Sequence, residues 1–235
     1  MDVLKSLLKA RSQIFAPVVP FDPKQNKLLL LDFTSNNKEL TDDVLGDTRT
    51  FVNYISKKLE KHGATYGIGG YGELRTVYSK SNVFDSTSPG DEPRRLHIGI
   101  DIWGRPNTGV MAPLDAIVHS HGYHDQPGDY GATIILSHQL EGTTFYTLYG
   151  HLSLNSLKNI EEGQRLQKED MFAEFGIPAE NGQWPPHLHF QVIYDLEGWS
   201  GDYPGVCKFS EKETYMLNCP DPDLILQMMQ YAGSI

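Results

Sequence analysis

His187-Leu188-His189-Phe190-Gln191-Val192-Ile193-Tyr194 alternates with a clean period of two. That period is the signature of a β-strand, whose successive side chains leave opposite faces. His187, His189, Gln191 and Ile193 share one face, and Leu188, Phe190, Val192 and Tyr194 share the other. The second set reads as a core face and the first as a face carrying a site. Two histidines at i and i+2 have Cα atoms ~7 Å apart. At that separation one imidazole ligates an ion while its neighbour addresses a bound water or substrate.

Upstream of this strand, short β-type runs bounded by turn residues recur at 98–103, 116–123, 132–138 and 143–149. Gln139-Leu140-Glu141-Gly142 joins two of them and predicts an antiparallel hairpin. Farther out, Val3, Leu4, Leu7 and Leu8 predict an opening amphipathic helix that stops before Pro17, and Leu45, Val52, Ile55 and Leu59 predict one helix over 42–62 ended by Gly63. Asp221-Pro222 reads as the start of a last helix through Leu224, Leu226 and Met229. Gly67, Gly69, Gly70 and Gly72 fit neither a P-loop nor a Rossmann fingerprint, so they read as turns around a strand.

The chain has 235 residues, with 20 Lys+Arg against 30 Asp+Glu for a net charge of −10, and 39% hydrophobic residues. The acidic balance, without a basic stripe, argues against a nucleic-acid partner. The longest aliphatic stretch is Leu28 to Leu31, far short of a bilayer span, so no membrane partner is expected. The first ten residues lack a signal-peptide pattern, which gives cytoplasmic as the expected location. Cys207 and Cys219, in no CxxC pair, read as two reduced thiols. With 22 Gly and 14 Pro, the composition argues against an all-helical bundle and a mainly β fold is expected.

Two further stretches join the terminal strand in carrying chemistry. His97-Ile98-Gly99-Ile100-Asp101 sets a histidine and a carboxylate four apart, and Gly99 with two isoleucines makes a helix implausible there. On a straight strand the pair would be ~13 Å apart, so the backbone must bend between them. Gly99 permits that bend, and loss of its freedom is expected to hurt metal binding. Tyr149-Gly150-His151-Leu152-Ser153 places a further histidine at the end of the hairpin. Imidazoles with one carboxylate suit zinc, with a fourth position left to water, and three protein ligands plus an open position imply catalysis. No HExxH occurs, so a neutral histidine is the expected proton acceptor.

In their order and spacing, His97-xxx-Asp101, Tyr149-Gly150-His151-Leu152-Ser153 and Pro186-His187-Leu188-His189-Phe190 closely resemble the lysostaphin-type zinc metalloendopeptidases. Gly109-Val110-Met111-Ala112-Pro113 with Asp115-Ala116-Ile117-Val118, and Gly163-Gln164-Arg165-Leu166, resemble that family's framework, so the likeness covers roughly 96–194. Tyr71-Gly72-Glu73-Leu74-Arg75, Gly182-Gln183-Trp184-Pro185-Pro186, Pro204-Gly205-Val206 and Pro220-Asp221-Pro222 resemble a narrower branch: the peptidase-like domain of large cytosolic proteins that also carry phosphotransferase-like and aminotransferase-like domains. The resemblance implies zinc (Zn2+) held by His97, Asp101 and His189, with His151 and His187 as catalytic histidines. It also implies an antiparallel β-sheet sandwich, here with added N-terminal and C-terminal helices. The implied reaction is hydrolysis of peptide bonds in a peptide or peptidoglycan-like substrate.

The expected organisation is an N-terminal helical elaboration over 1–65, a metallopeptidase-like β domain over 66–212 and a helical tail over 213–235. The competing functional classes are a non-catalytic zinc-binding module and a cytosolic small-molecule amide hydrolase. His119, His121, His124 and Asp125 form a second metal-like cluster, read as exposed histidines near the groove rather than a second centre. Trp184, beside two prolines and the ligand strand, is the aromatic expected to wall the cleft. Arg94 and Arg95 read as solvated, His62 and His138 receive no role, and Glu73 and Arg75 either contact the site or form an ordinary ion pair.

Overall fold

The computed structural model describes residues 2–85 and 90–233. In chain order the strands are β1 (Leu28–Leu30), β2 (Tyr66–Gly69), β3 (Leu96–His97), β4 (Ile100–Trp103), β5 (Gly109–Met111), β6 (Ala116–His124), β7 (Gly131–Leu140), β8 (Thr143–Leu152), β9 (Arg165–Leu166), β10 (Met171–Glu174), β11 (His187–Ile193), β12 (Val206–Cys207) and β13 (Ala232–Gly233). The helices are α1 (Asp2–Ala10), α2 (Asp42–Gly46), α3 (Thr48–His62), α4 (Leu154–Lys158), α5 (Lys212–Asn218) and α6 (Asp223–Leu226). The architecture is mainly β, built on a nine-stranded sheet in the order β13-β1-β2-β4-β11-β8-β7-β6-β9. Its central pairings are antiparallel, but β1 runs parallel to both β2 and β13, so the sheet is mixed at one edge.

The expected hairpin joins β7 to β8 through Glu141 and Gly142, whose φ values of 49° and 82° are both positive, as a primed two-residue turn demands. The single helix expected over 42–62 is two helices. Asp47 breaks it with φ −127° and ψ 123°, and its carboxylate caps α3 by accepting from the Thr50 amide at 2.7 Å. A helix N-cap needs that extended backbone, so the better cap for α3 ends α2. Gly63 closes α3 at φ 59°, as the sequence suggests.

Both faces of β11 are buried. Leu188, Phe190 and Val192 belong to the main core, where they pack with Ile100, Ile102, Ile134 and Tyr149 under α1 and α6. The opposite face lies between two smaller clusters. Trp103, paired with His187 in the sheet register, belongs to one that includes Phe33, Phe51 and Ile55; Ile193 belongs to the other, with Leu148, Tyr203 and both cysteines. The site therefore lies at the bottom of a cleft between these two clusters.

His138 serves this architecture and takes no part in the site. Buried in β7, it contacts the Asp115 carbonyl at 3.1 Å and the Thr147 hydroxyl at 2.8 Å and stacks on Phe145. Burial lowers its pKa to about 4 from the ordinary 6.5. A histidine that resists protonation when folded costs stability as pH falls from 6.5 towards 4, because the unfolded chain takes up a proton the folded chain refuses. That window is worth about 3 kcal/mol. His138→Gln is expected to flatten the fall of the urea midpoint across it, and an unchanged slope would show that the residue does not carry this linkage.

Candidate metal and catalytic site

One row of the sheet register builds the centre. Gly69 on β2 lies opposite Asp101 on β4, Asp101 opposite His189 on β11, and His189 opposite Gly150 on β8. Directly opposed residues bring their Cβ atoms within ~5 Å, so Asp101 and His189 meet without any loop rearrangement. His97, at the end of β3, reaches them because the chain turns at Ile98 and Gly99 before β4 begins. The outcome is three ligand atoms in a tight triangle: His97 Nε2 to His189 Nδ1 at 2.9 Å, His189 Nδ1 to Asp101 Oδ1 at 3.1 Å, and His97 Nε2 to Asp101 Oδ1 at 3.2 Å. All three side chains are buried.

The donor set fits a divalent zinc ion. His97 Nδ1 lies 3.0 Å from the Gly70 carbonyl, an acceptor only, so that nitrogen carries the hydrogen and Nε2 presents a lone pair. His189 Nε2 lies 2.9 Å from Gln191 Oε1. The Gln191 amide nitrogen is engaged by the Pro204 carbonyl at 3.2 Å and by Cys219 Sγ at 3.3 Å, which fixes the oxygen towards the histidine. His189 Nε2 therefore carries the hydrogen donated to Gln191, and Nδ1 is the nitrogen turned into the triangle. Two imidazole lone pairs and a carboxylate oxygen converge with no hydrogen between them, an arrangement that calls for a cation. Ligands of one tetrahedral zinc ion stand ~3.3 Å apart, close to the triangle observed. Burial pushes His97 down to about 3, so it is neutral at pH 7.

Gly99 is required, for a reason other than the one its type suggests. Its φ is not in the left-handed region, yet a Cβ added there would come within 2.6 Å of His189 Nε2 and 2.9 Å of the Phe190 carbonyl oxygen. The constraint is close approach of the ligand ring, not conformational freedom. Gly99→Ala is expected to displace His189 and lower zinc affinity about 10–100-fold, the scale seen when support to a metal ligand is lost. Chelator competition would measure it, and an affinity within twofold of the parent would refute the packing argument.

Arg75 settles the alternative the sequence leaves open, since it does both. Its guanidinium is buried, pairs with Asp101 Oδ2 through Nη1, and pairs with Glu73 Oε2 through Nε at 2.6 Å. Nη1 also donates to the Tyr78 hydroxyl at 3.2 Å. Burial by itself raises the Asp101 carboxyl, but the buried Arg75 guanidinium beside it helps to hold it well below the usual carboxylate range. Asp101 is thus ionised, with Oδ2 committed to Arg75 and Oδ1 directed into the triangle.

His151 and His187 lie beside the triangle, their rings 4.1 Å apart. His151 is a non-glycine residue at φ 62°, held there by its amide to the Tyr130 carbonyl at 3.0 Å and by the Gly176 amide to its own carbonyl at 2.9 Å. Left-handed backbone at such a residue stores strain of about 1–3 kcal/mol and turns this ring back over the sheet. His151 Nδ1 donates to the Asn181 carbonyl at 2.9 Å, and His187 Nδ1 donates to the Pro185 carbonyl at 2.7 Å. Both rings therefore present a bare Nε2. Burial lowers His187 to about 4, and burial together with His187 lowers His151 well below its ordinary value.

A cleft of about 140 Å³ opens over these residues. Trp184 lines it as the sequence suggests; so do Trp103, Tyr130 and Arg94, the last of which donates to the Val83 carbonyl instead of standing in solvent. Tyr149 belongs to the main core. The second histidine cluster does not gather: His119 contacts the Ser120 hydroxyl and His124 the Gly201 carbonyl, and among the described residues the metal-like group is His97, Asp101 and His189. Sequence reasoning missed the orienting roles of Gln191, Asn181 and Pro185. Gln191 alone carried a signal, because strand alternation puts it on the His189 face.

Residues 95–200, a little under half of the chain, match the model described as Peptidase family M23. Over 139 residues the chain is 27% identical to the L-Ala--D-Glu endopeptidase of Bacillus subtilis (strain 168), a match covering 56% of this chain and 40% of that protein. The chain thus spans about two fifths of the length of this curated relative. Among solved structures it is similar to the catalytic domain of the antimicrobial peptidase lysostaphin from Staphylococcus simulans, at 16% identity over 70% of this chain and 96% of that one, with a TM-score of 0.38. A zinc containing peptidase from Vibrio cholerae is similar at 22% identity over 46% of this chain and 30% of that one, with a TM-score of 0.35. The segment that bears His97, Asp101, His151, His187 and His189 is the segment matched to peptidase family M23.

Proposed function

We propose that this chain is a zinc-dependent metallopeptidase that cleaves amide bonds in peptides of the cell-wall type. The observation that carries the reading is the convergence of two imidazole lone pairs and one carboxylate oxygen, mutually 2.9–3.2 Å apart, with no hydrogen to share. His97, Asp101 and His189 would hold zinc. When bound, zinc supplies Lewis-acid polarisation of the scissile carbonyl and acidification of a water.

His151 and His187 do the proton work. Each is neutral at pH 7 with Nδ1–H fixed on a backbone carbonyl, so each accepts a proton only at Nε2. One ring takes the proton of the attacking water at Nε2. Its neighbour 4.1 Å away stays neutral, since a second positive charge at that distance is disfavoured. The protonated ring then returns the proton to the departing amine. Until it is protonated neither ring donates at Nε2, so donors to the substrate oxygen must come from elsewhere in the cleft.

Metal analysis with a peptide-cleavage assay tests this. The parent protein is expected to hold one zinc per chain and to cleave a muropeptide-type peptide, and His189→Ala is expected to lose both properties. Tightly held zinc with no cleavage across a peptide library would identify a binding module instead.

A further inference from the structure

The hydrogen-bond inventory of the cleft is unbalanced. His151 and His187 offer acceptors at Nε2, while the indole N–H groups of Trp103 and Trp184 are buried donors with no acceptor among the described residues. Both indoles line the cleft. Trp103 stacks on His187, with centroids 4.0 Å apart and planes 14° apart; Trp184 stands edge-on, 6.3 Å from His151 and 6.4 Å from His187. Phe51 of α3 braces both, with centroids 6.2 Å and 6.3 Å away. Buried donors are normally satisfied, and an exception at a functional cleft points to a partner that arrives with a ligand.

Residues outside the family match shape the cleft. Val77, Tyr78, Phe84, Tyr203 and Val206 line it, while the family match spans 95–200. About 140 Å³ is small beside the ~300–1,000 Å³ of drug-sized sites. Such a space takes one or two residues of a peptide.

We propose that Trp103 and Trp184 form a subsite in which their indole N–H groups hold an oxygen acceptor, carbonyl or carboxylate, of a short peptide lying beside His187. Calling that peptide a substrate rests on the hydrolase reading above; the binding itself does not. The subsite supplies the donors that the tautomers of His151 and His187 withhold, and it makes the two tryptophans specificity-determining.

The test uses the zinc-loaded protein labelled with 15N at the tryptophan indoles, whose three resonances are assigned with Trp184→Phe and Trp199→Phe. N-acetylalanine and its N-methylamide serve as probes, presenting a carboxylate and a neutral carbonyl. The expected result is a saturable downfield shift of the Trp103 and Trp184 N–H signals with one or both probes; Trp199, which is 44% exposed and lines the same cleft, is expected to move less because its indole is not among the buried donors without an acceptor. Shift by the acid alone identifies a carboxylate subsite, and shift by both identifies a carbonyl one. No saturable shift, or movement of Trp199 alone, overturns the proposal. In the cleavage assay, Trp184→Phe is expected to raise KM about fivefold to tenfold, the value of one lost hydrogen bond, with kcat little changed. Were cleavage absent while the indole shifts persisted, the hydrolase reading would fail and the subsite would stand.

Discussion

Glutamine in place of His187 is expected to lower peptide turnover about 10²–10⁴-fold, the usual contribution of a positioned acid–base group, while one zinc per chain is retained. His187 is not part of the ligand triangle, so its loss leaves His97, Asp101 and His189 mutually 2.9–3.2 Å apart. Glutamine keeps most of the volume that stacks on Trp103 and the polarity facing the Pro185 carbonyl, but it takes up no proton near neutral pH. The measurement pairs kcat with zinc content. Undiminished turnover would remove His187 from the proton pathway. Loss of zinc together with turnover would show that it supports the metal instead.

Arg75→Met is expected to cost about 3–5 kcal/mol of folding stability in the zinc-free protein, the penalty for stranding a buried carboxylate. Arg75 is 2% exposed and pairs simultaneously with Asp101 and Glu73. Methionine fills similar space but removes the cation paired with Asp101 Oδ2 and Glu73 Oε2. Zinc restores a positive partner to Asp101, so the deficit should narrow in the loaded protein. Urea unfolding of parent and variant, each with and without zinc, checks both parts. A deficit below about 1 kcal/mol in the zinc-free pair would place the variant among ordinary surface changes and contradict the role assigned to this arginine.

Where side-chain periodicity was strong, the sequence was informative. Alternation located β6, β7, β8 and β11 to within a few residues, and Glu141-Gly142 marked the hairpin between β7 and β8. The three-residue β1 is too short to show a period, and β2 is half glycine, so the parallel edge of the sheet went unread. Asp47 hid the break between α2 and α3, because a capping side chain looks like any polar surface residue until the backbone at that point is known. The five histidine and aspartate positions were legible as residue types in order, and they lie together around one cleft. The features that tune them were not legible. Arg75 sits 26 residues before Asp101, the orienting carbonyls are backbone atoms, and the two idle indoles become visible only when every acceptor around them can be counted.

The register of β4 on β11 has a consequence for how the molecule acquires its native pairing. Because strand side chains alternate, a slip of one residue would point Asp101 and His189 to opposite sides and scatter the triangle. An ion that needs both side chains would bind the correct alignment and ignore the slipped one, so its affinity becomes a thermodynamic bias toward proper strand matching. Metal supply during refolding would then select among competing alignments of the central strands, acting as a proofreader of assembly before any peptide is encountered.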